Sequence, residues 1–174
     1  MYRPWRGVPV FLAVTCSLLL PSCAQGASAL APGNGRAAPP LALHDTEGRR
    51  HTLAGYRGSV VLVNFWATWC EPCRREMPSI QRLKEKLSDK PFVVLAVNVD
   101  EPEERVRQFL KKTELELPIL LDPSKKVTHA WGARNLPVTF IIGRDGRVRY
   151  RLVGDLDWSS DTVVGVISQL LAGG

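Results

Sequence analysis

Two stretches of the chain, at positions 60–65 and 92–99, are dominated by apolar residues that do not alternate with polar ones. Such runs are typical of central strands that are covered on both faces of a sheet. Between them, from Cys73 to Leu87, apolar side chains recur at spacings of three and four residues, which predicts an amphipathic helix. Strand, helix and strand in this order predict an α/β domain.

Shorter elements are predicted on either side of this unit. The capping-box spacing of Asp100 and Glu103 predicts that a second helix begins after Asp100, and Asp145-Gly146 is a hairpin turn signal. The remaining predicted elements are a short hairpin at 41–44 and 51–53, strands at 118–121, 138–142 and 147–153, a brief helix after Asp122-Pro123, and a last amphipathic helix that begins within 157–160. This order predicts a mixed sheet with helices on both faces.

Cys70 and Cys73 lie where the first predicted strand gives way to the helix. A cysteine at the first turn of a helix is close to unpaired backbone N–H groups and to the positive end of the helix dipole, and both favour the thiolate. The thiolate is the nucleophile in disulfide exchange, and a second cysteine one turn later can close a short disulfide and release a bound partner. The pair is therefore predicted to be a dithiol redox centre that needs no cofactor besides its own disulfide.

Spacing alone leaves two other uses of this pair open. A zinc site needs four ligands, but the chain has no second pair of this kind, and His44, His51 and His129 lack metal-ligand spacing. A purely structural disulfide of this spacing closes a very small loop and stabilises little. The redox interpretation is favoured because strand, cysteine pair and helix occur in the order that the redox motif requires.

The first residues have the composition of an export signal. Arg3 and Arg6 precede an apolar segment of about 13 residues, which is too short to span a bilayer comfortably. Residues 20–23 resemble a bacterial lipoprotein box, in which Cys23 is the lipidated residue, although Pro21 departs from the usual pattern. The chain is therefore predicted to be extracytoplasmic and attached to a membrane by a lipid at Cys23.

The predicted domain organisation follows from this signal. Residues 1–22 are predicted to be a signal peptide, with cleavage near Ala29 as the alternative to a lipoprotein site. Residues 23–40, rich in Ala, Gly and Pro, predict a flexible tether, and residues 41–174 predict one folded domain.

The charge of the chain argues against one class of partner. The formal net charge is +6, and loss of the first 22 residues would leave +4. Arg74-Arg75 and Lys111-Lys112 are typical of charges on a helix surface and do not form a nucleic-acid-binding stripe. No nucleic-acid partner is predicted.

Residues 63–73 (Val-Asn-Phe-Trp-Ala-Thr-Trp-Cys-Glu-Pro-Cys), residues 136–140 (Leu-Pro-Val-Thr-Phe) and the additional strand and helix between them resemble one family. They are similar to the thioredoxin-like, TlpA/ResA-type disulfide reductases of bacteria, over about residues 39–171. The resemblance implies a thioredoxin fold with an N-terminal β-hairpin and an inserted strand–helix unit. It also implies a role in cytochrome c maturation or a related thiol-reduction pathway.

The resemblance also implies roles for residues near the cysteines. Pro137 would be preceded by a cis peptide bond that exposes the backbone of Leu136, so that a substrate strand can pair with it. Trp69 would form the rim of the active site, and Gly154 would allow a substrate backbone to approach closely.

Glu76 is the predicted proton acceptor. It lies three residues after Cys73, beside the inward face of the helix, where low-dielectric surroundings would raise the pKa of its carboxyl group. Such a carboxylate could take the proton from Cys73 when that thiol must attack. The family keeps an acidic residue at the matching position, whereas thioredoxin itself has a buried Asp where this chain has Asn64.

The residues between the cysteines suggest the direction of the reaction. Stabilising the Cys70 thiolate makes such a protein more oxidising, but Glu71 places a negative charge beside it and Pro72 supplies no N–H. The chain is therefore predicted to reduce protein disulfides and to be kept reduced by a membrane thiol electron donor of the DsbD/CcdA type.

Three alternative functions remain at this point. A peroxiredoxin-like peroxidase would need a peroxidatic cysteine in a Pro and Thr/Ser context that neither Cys70 nor Cys73 has. A copper chaperone could use the two thiolates as soft ligands, with His129 as a distant third. A disulfide-forming oxidase would need the opposite redox potential.

Overall fold

The computed structural model describes residues 30–173, and the predicted signal peptide, Cys23 and the first part of the predicted tether lie outside them. Eight strands and four α-helices are present among these residues, with one 3-10 helix at Leu53–Tyr56. The strands are β1 (Ala31–Pro32), β2 (Ala42–His44), β3 (Arg50–Thr52), β4 (Val60–Trp66), β5 (Phe92–Val99), β6 (Ile119–Asp122), β7 (Val138–Ile142) and β8 (Val148–Val153). The helices are α1 (Glu71–Lys86), α2 (Glu103–Leu110), α3 (Lys126–Ala130) and α4 (Asp161–Ala172).

The main sheet has six strands in the order β1-β8-β7-β4-β5-β6. β4, β5 and β6 run parallel, while β7 pairs antiparallel with β4 and β8 pairs antiparallel with β7. β2 and β3 form a separate hairpin. The predicted α/β thioredoxin fold, with its N-terminal hairpin, is confirmed, and two strand–helix units, β5–α2 and β6–α3, lie between α1 and β7 where one additional unit was predicted.

β4 is buried along its whole length because both faces of the sheet are covered. Leu62 and Trp66 face α1, α2 and α4, whereas Val63 and Phe65 face α3 and the hairpin. Because side chains alternate across a strand, one short run of residues supplies both core layers. β4 ends four residues before Cys70, so the longest fully buried strand of the domain leads into the active site.

The predicted tether is wrong in its second half. Ala31–Pro32 pair with β8, and the backbone N–H of Gly33 donates to the Arg149 carbonyl oxygen at 2.7 Å. A Cβ at Gly33 would lie 2.5 Å from the Val148 carbonyl oxygen, so this close approach requires glycine. The segment covers the edge of β8 through backbone hydrogen bonds, which a hydrophobic pattern does not reveal.

The predicted capping box is also wrong. α2 begins at Glu103 with Pro102 as its N-cap residue, and Asp100 has a positive φ of 61° and forms an ion pair with Lys125. Glu101 turns inward instead and is buried. A buried carboxylate needs hydrogen-bond donors, and Glu101 finds them beside the cysteines.

Among residues 30–173, no helix is both long enough and apolar enough to cross a membrane.

Candidate active site

Cys70 and Cys73 lie at the N-terminus of α1, directly after the end of β4. Cys70 is the N-cap residue, and its sulfur accepts a hydrogen bond from the backbone N–H of Cys73 at 3.3 Å. The two sulfurs are joined in a disulfide. Cys70 is 4% exposed and Cys73 is not exposed at all, so a substrate can reach only the first of the two. This asymmetry means that an incoming disulfide would meet Cys70 before Cys73.

The segment before Cys70 is anchored by a residue that the sequence analysis missed. The carboxylate of Glu101 accepts hydrogen bonds from the backbone N–H of Thr68 at 2.7 Å and from its hydroxyl group at 2.5 Å. Asn98 donates a third bond to the same carboxylate at 2.8 Å. The end of β5 and the turn that follows it thereby fix the loop that presents Trp69, whose side chain is 65% exposed, beside Cys70.

The charge of Glu71 is partly offset in the structure. Glu71 forms an ion pair with Arg74 one turn later on α1, and both side chains are exposed to solvent. Solvent and the neighbouring guanidinium group therefore both screen the field of Glu71 at Cys70. The argument from Glu71 for a low redox potential is weaker than the sequence alone suggested.

Three of the predicted substrate-binding residues, Leu136, Pro137 and Gly154, lie together where β7 begins and β8 ends. The peptide bond between Leu136 and Pro137 is cis, as predicted. The backbone N–H of Gly154 donates to the Pro137 carbonyl oxygen at 2.9 Å, which holds the two residues side by side. Gly154 has a φ of 104°, a conformation that favours glycine, so its backbone geometry accounts for the residue type without any substrate.

Glu76 occupies the inward face of α1, one turn after Cys73, and only 2% of it is exposed. Burial raises the pKa of Glu76 to about 7, although hydrogen bonds to its carboxylate oppose this shift. The predicted inward position and raised pKa are both confirmed. A carboxyl group with this pKa can both accept and return a proton near neutral pH.

Two side chains hold this carboxylate, one on each oxygen. The Asn64 amide donates to Glu76 Oε1 at 2.7 Å and also to the Thr139 hydroxyl group at 2.9 Å. The Trp158 indole N–H donates to Glu76 Oε2 at 2.8 Å. Asn64 was predicted as a departure from the buried Asp of thioredoxin, whereas the contact of Trp158 was not predicted.

The structure also bears on the metal-binding alternatives. Within residues 30–173, no group of three or more His, Cys, Asp or Glu side chains is arranged to hold a metal ion. His51 is engaged with Asp45 and Tyr56 in the hairpin. A copper site in the described part of the chain would therefore have to be built on Cys70 and Cys73 without a third such ligand nearby.

Comparisons with known proteins agree with this geometry. The model of the AhpC/TSA family matches residues 34–151. Two relatives named thiol-disulfide oxidoreductase ResA are similar to this chain. The one from Geobacillus thermodenitrificans is 42% identical over 122 residues, which cover 70% of each chain. The one from Bacillus subtilis is 37% identical over 114 residues, 66% of this chain and 64% of that protein.

Solved structures show the same similarity. A Chlorobium tepidum protein assigned as thiol:disulfide interchange protein DsbE has a TM-score of 0.69 and 30% identity, covering 83% of this chain and 98% of its own. The exposed lipoprotein thioredoxin Etrx1 of Streptococcus pneumoniae has a TM-score of 0.65 and 26% identity, covering 78% of this chain and 99% of its own. The chain therefore belongs to the AhpC/TSA family of thioredoxin-like proteins and is a thiol-disulfide oxidoreductase of the ResA type.

Proposed function

We propose that this protein reduces disulfides of other proteins outside the cytoplasm, using Cys70 as nucleophile, Cys73 as resolving thiol and Glu76 as proton acceptor. The observation that carries the proposal is the arrangement along α1. A barely exposed sulfur lies at the helix N-terminus, a fully buried sulfur lies behind it, and a buried carboxyl group follows one turn later. These are the groups that a two-step exchange requires, in the order of their use.

In the first step, the Cys70 thiolate attacks one sulfur of the substrate disulfide. A Cys70–substrate disulfide forms, the substrate S–S bond breaks, and one substrate thiolate leaves. In the second step, the Cys73 thiol gives its proton to the Glu76 carboxylate, and the resulting thiolate attacks Cys70 Sγ. The Cys70–Cys73 disulfide forms and the second substrate thiolate leaves, so two electrons pass from the protein to the substrate.

Substrate binding is proposed at the backbone of Leu136 and at Trp69. An extended substrate segment would pair with the backbone of Leu136, and the exposed Trp69 side chain would offer it an apolar surface. Gly154 lies beside Pro137 and presents no side chain to the incoming strand. A main-chain interaction of this kind favours unfolded or extended substrates, such as an apocytochrome c before haem attachment.

The location is proposed from the sequence and from the names of the relatives. Lipidation at Cys23 would attach the domain to a membrane, and the Streptococcus pneumoniae neighbour is named an exposed lipoprotein thioredoxin. Regeneration of the reduced pair outside the cytoplasm requires an electron source. A membrane thiol donor of the DsbD/CcdA type would supply two electrons to the Cys70–Cys73 disulfide after each turnover.

The first test is the reduction potential of the Cys70–Cys73 pair, measured on the full chain in thiol buffers. A value near or below about −270 mV, the level of thioredoxin, is expected for a reductant. A value near −120 mV would instead make the protein an oxidase that forms disulfides, and the proposed direction would be wrong.

The second test traps the covalent intermediate. The Cys73→Ser variant is expected to accumulate a mixed disulfide with a reporter protein substrate, while Cys70→Ser forms none. Cys23→Ser is the matched control, because that cysteine lies outside the domain, and it should form and resolve the adduct like the unmodified chain. Consumption of hydrogen peroxide without any protein adduct would contradict the proposal in favour of a peroxidase.

A further inference from the structure

Trp158 lies in the loop between β8 and α4, and its side chain is completely buried. Its backbone N–H donates to the Ser79 hydroxyl group at 3.0 Å, and this hydroxyl donates to the Glu76 carbonyl oxygen at 2.7 Å and lies 3.3 Å from that of Leu156. The loop is thus fastened to α1 at Ser79. This attachment places the indole ring against the second turn of the helix, directly at the Glu76 carboxyl group.

The N–H group is the single polar group of this indole, and it is hydrogen-bonded to Glu76. Trp158 Nε1 donates to Glu76 Oε2 at 2.8 Å, while the Asn64 amide donates to Oε1 at 2.7 Å. The backbone N–H of Leu156 makes a longer contact to Oε2 at 3.4 Å. Both strong donors are neutral groups that do not titrate near neutral pH. They fix the orientation of the carboxylate and stabilise its ionised form, and they add no compensating charge.

We infer that Trp158 is a positioning residue for the proton acceptor of this oxidoreductase, holding the Glu76 carboxylate in the orientation in which it takes the proton from Cys73. The inference rests on the proposed role of Glu76. It assigns a reaction-related function to a residue that would otherwise count only as part of the hydrophobic core.

Hydrogen bonds, and not neighbouring charges, stabilise the ionised form of Glu76. The titratable group whose charge acts on the carboxyl group is Asp155, which lies in the same loop as Trp158 and also raises the pKa of Glu76. Asp155 is itself paired with Arg75 at 3.1 Å, and both side chains are exposed. Since no cation among residues 30–173 is paired with Glu76, loss of the indole N–H should leave the carboxylate less stable and raise its pKa.

Trp131 provides a matched control within the same domain. It is also a buried tryptophan, and its indole N–H donates to the Pro40 carbonyl oxygen at 3.3 Å on the other face of the sheet. The exchange of Trp131 for Phe removes the same atoms from the core without touching Glu76. Any effect common to both exchanges therefore reports on packing, and any difference reports on the hydrogen bond.

The test compares Trp158→Phe with Trp131→Phe in the full chain, with the Cys70–Cys73 disulfide intact. The titration of Glu76 is followed through its carboxyl carbon by NMR in protein labelled with 13C at glutamate side chains, with Glu76→Gln identifying the signal. Trp158→Phe is expected to move the midpoint upward by a clearly resolved amount, and Trp131→Phe to leave it in place. An unmoved midpoint in Trp158→Phe, or an equal movement in both variants, overturns the inference.

A second readout separates this inference from the proposed function. The rate at which Cys73 resolves a preformed mixed disulfide is measured against pH, and its midpoint should follow the Glu76 titration in each variant. A shifted titration with an unshifted rate profile overturns the role of Glu76 as proton acceptor and with it the inference that depends on that role. If Trp158→Phe does not fold, benzothienylalanine at position 158 keeps the fused-ring shape, replaces the N–H group with a sulfur atom that cannot donate a hydrogen bond, and makes the same prediction.

Discussion

Two carboxyl groups of this domain are almost equally buried and yet have opposite acidities. Glu76 on α1 is 2% exposed and Asp45 in the hairpin turn is 3% exposed. Burial raises the pKa of Glu76 to about 7. At Asp45, burial also acts to raise the pKa, but hydrogen bonds from His51, Arg49 and the turn backbone outweigh it and hold the pKa well below its usual range. Burial alone therefore does not decide the acidity of a carboxyl group.

Two things differ: Glu76 lies deeper inside the domain than Asp45, and the donors that surround each group are not the same. Asp45 accepts bonds from the backbone N–H groups of Glu47 and Arg49, from Arg49 Nε at 2.9 Å, and has His51 Nε2 at 2.8 Å. One of these partners carries a permanent positive charge. Glu76 has only an amide and an indole as close partners. Charged and backbone donors stabilise the ionised form of Asp45 more strongly than neutral side chains stabilise that of Glu76.

The two environments suit different tasks. Asp45 organises the hairpin, which is also attached to β6 by the backbone N–H of Thr46, donating to the Ile119 carbonyl oxygen at 3.0 Å. A permanently ionised group serves this purpose well. A proton acceptor must instead bind and release a proton near the working pH, and neutral partners leave Glu76 free to do so.

The largest expected contrast is in the pH dependence of stability at Glu76. The raised pKa of Glu76 means that the folded chain holds this proton more tightly than the unfolded chain, whose carboxyl group has an ordinary pKa of 4.5. The stability contributed by this group is complete below about pH 4.5 and is lost as the pH rises through about 7, a loss of about 3 kcal/mol. Glu76→Gln should remove that loss.

The measurement is chemical denaturation of the oxidised unmodified chain and of Glu76→Gln at pH 5 and pH 8. All other titratable groups are common to both proteins and cancel in the comparison. Equal pH dependence in the two proteins would show that Glu76 is not the group whose ionisation opposes folding.

A somewhat smaller effect is expected at the other carboxyl group. Asp45→Asn removes the charge that pairs with Arg49 and His51, and we expect a loss of about 2 kcal/mol in the free energy of unfolding at pH 7. The lowered pKa of Asp45 means that its contribution is present above the ordinary pKa near 4 and disappears as the pH falls below it. The difference between the two proteins should therefore shrink in acid.

Glu47→Gln is the matched control for this exchange. Glu47 pairs with the same Arg49 at 3.0 Å, but its side chain is 68% exposed, so a change within about 0.5 kcal/mol is expected. The rate of disulfide reduction per folded molecule should be unchanged in both variants. A slower reaction in fully folded Asp45→Asn would show that the hairpin contributes to catalysis. Asp45 would then not have the purely structural role that distinguishes it from Glu76.

Sequence reasoning reached the environment of Glu76 more completely than that of Asp45. The spacing from Cys73 placed Glu76 on the inward face of α1, and this was correct because the helix period is a local property. The buried strands β5 and β7 were bounded correctly for a similar reason, since their apolar runs end where the strands end. Turn residues such as Asp45 show no periodicity, so its burial was not predicted.

Long-range partners were missed for a different reason. Trp158 reaches Glu76 across 82 positions of the chain, and Glu101 reaches Thr68 across 33. Neither contact follows from a local pattern, because both depend on how a loop is placed by the sheet. β1 was missed because its backbone, and not its side chains, makes the interaction. Glu101 fits neither the hydrophobic pattern nor the capping pattern around it, and this misfit was the available sign that its side chain has another role.

The smallest expected effect concerns the outer end of the Asp45 network. Tyr56 has its hydroxyl group 2.6 Å from His51 Nδ1, and its ring is stacked near that of His51. Tyr56→Phe keeps the stacking and removes one hydrogen bond, so a loss of about 1 kcal/mol in the free energy of unfolding is expected. Denaturation at pH 7 checks this value, and the Glu76 titration in the same variant should not move. A loss as large as that of Asp45→Asn would mean that Asp45 acts through the orientation of His51, and the contrast with Glu76 would then rest on one imidazole ring instead of on several donors.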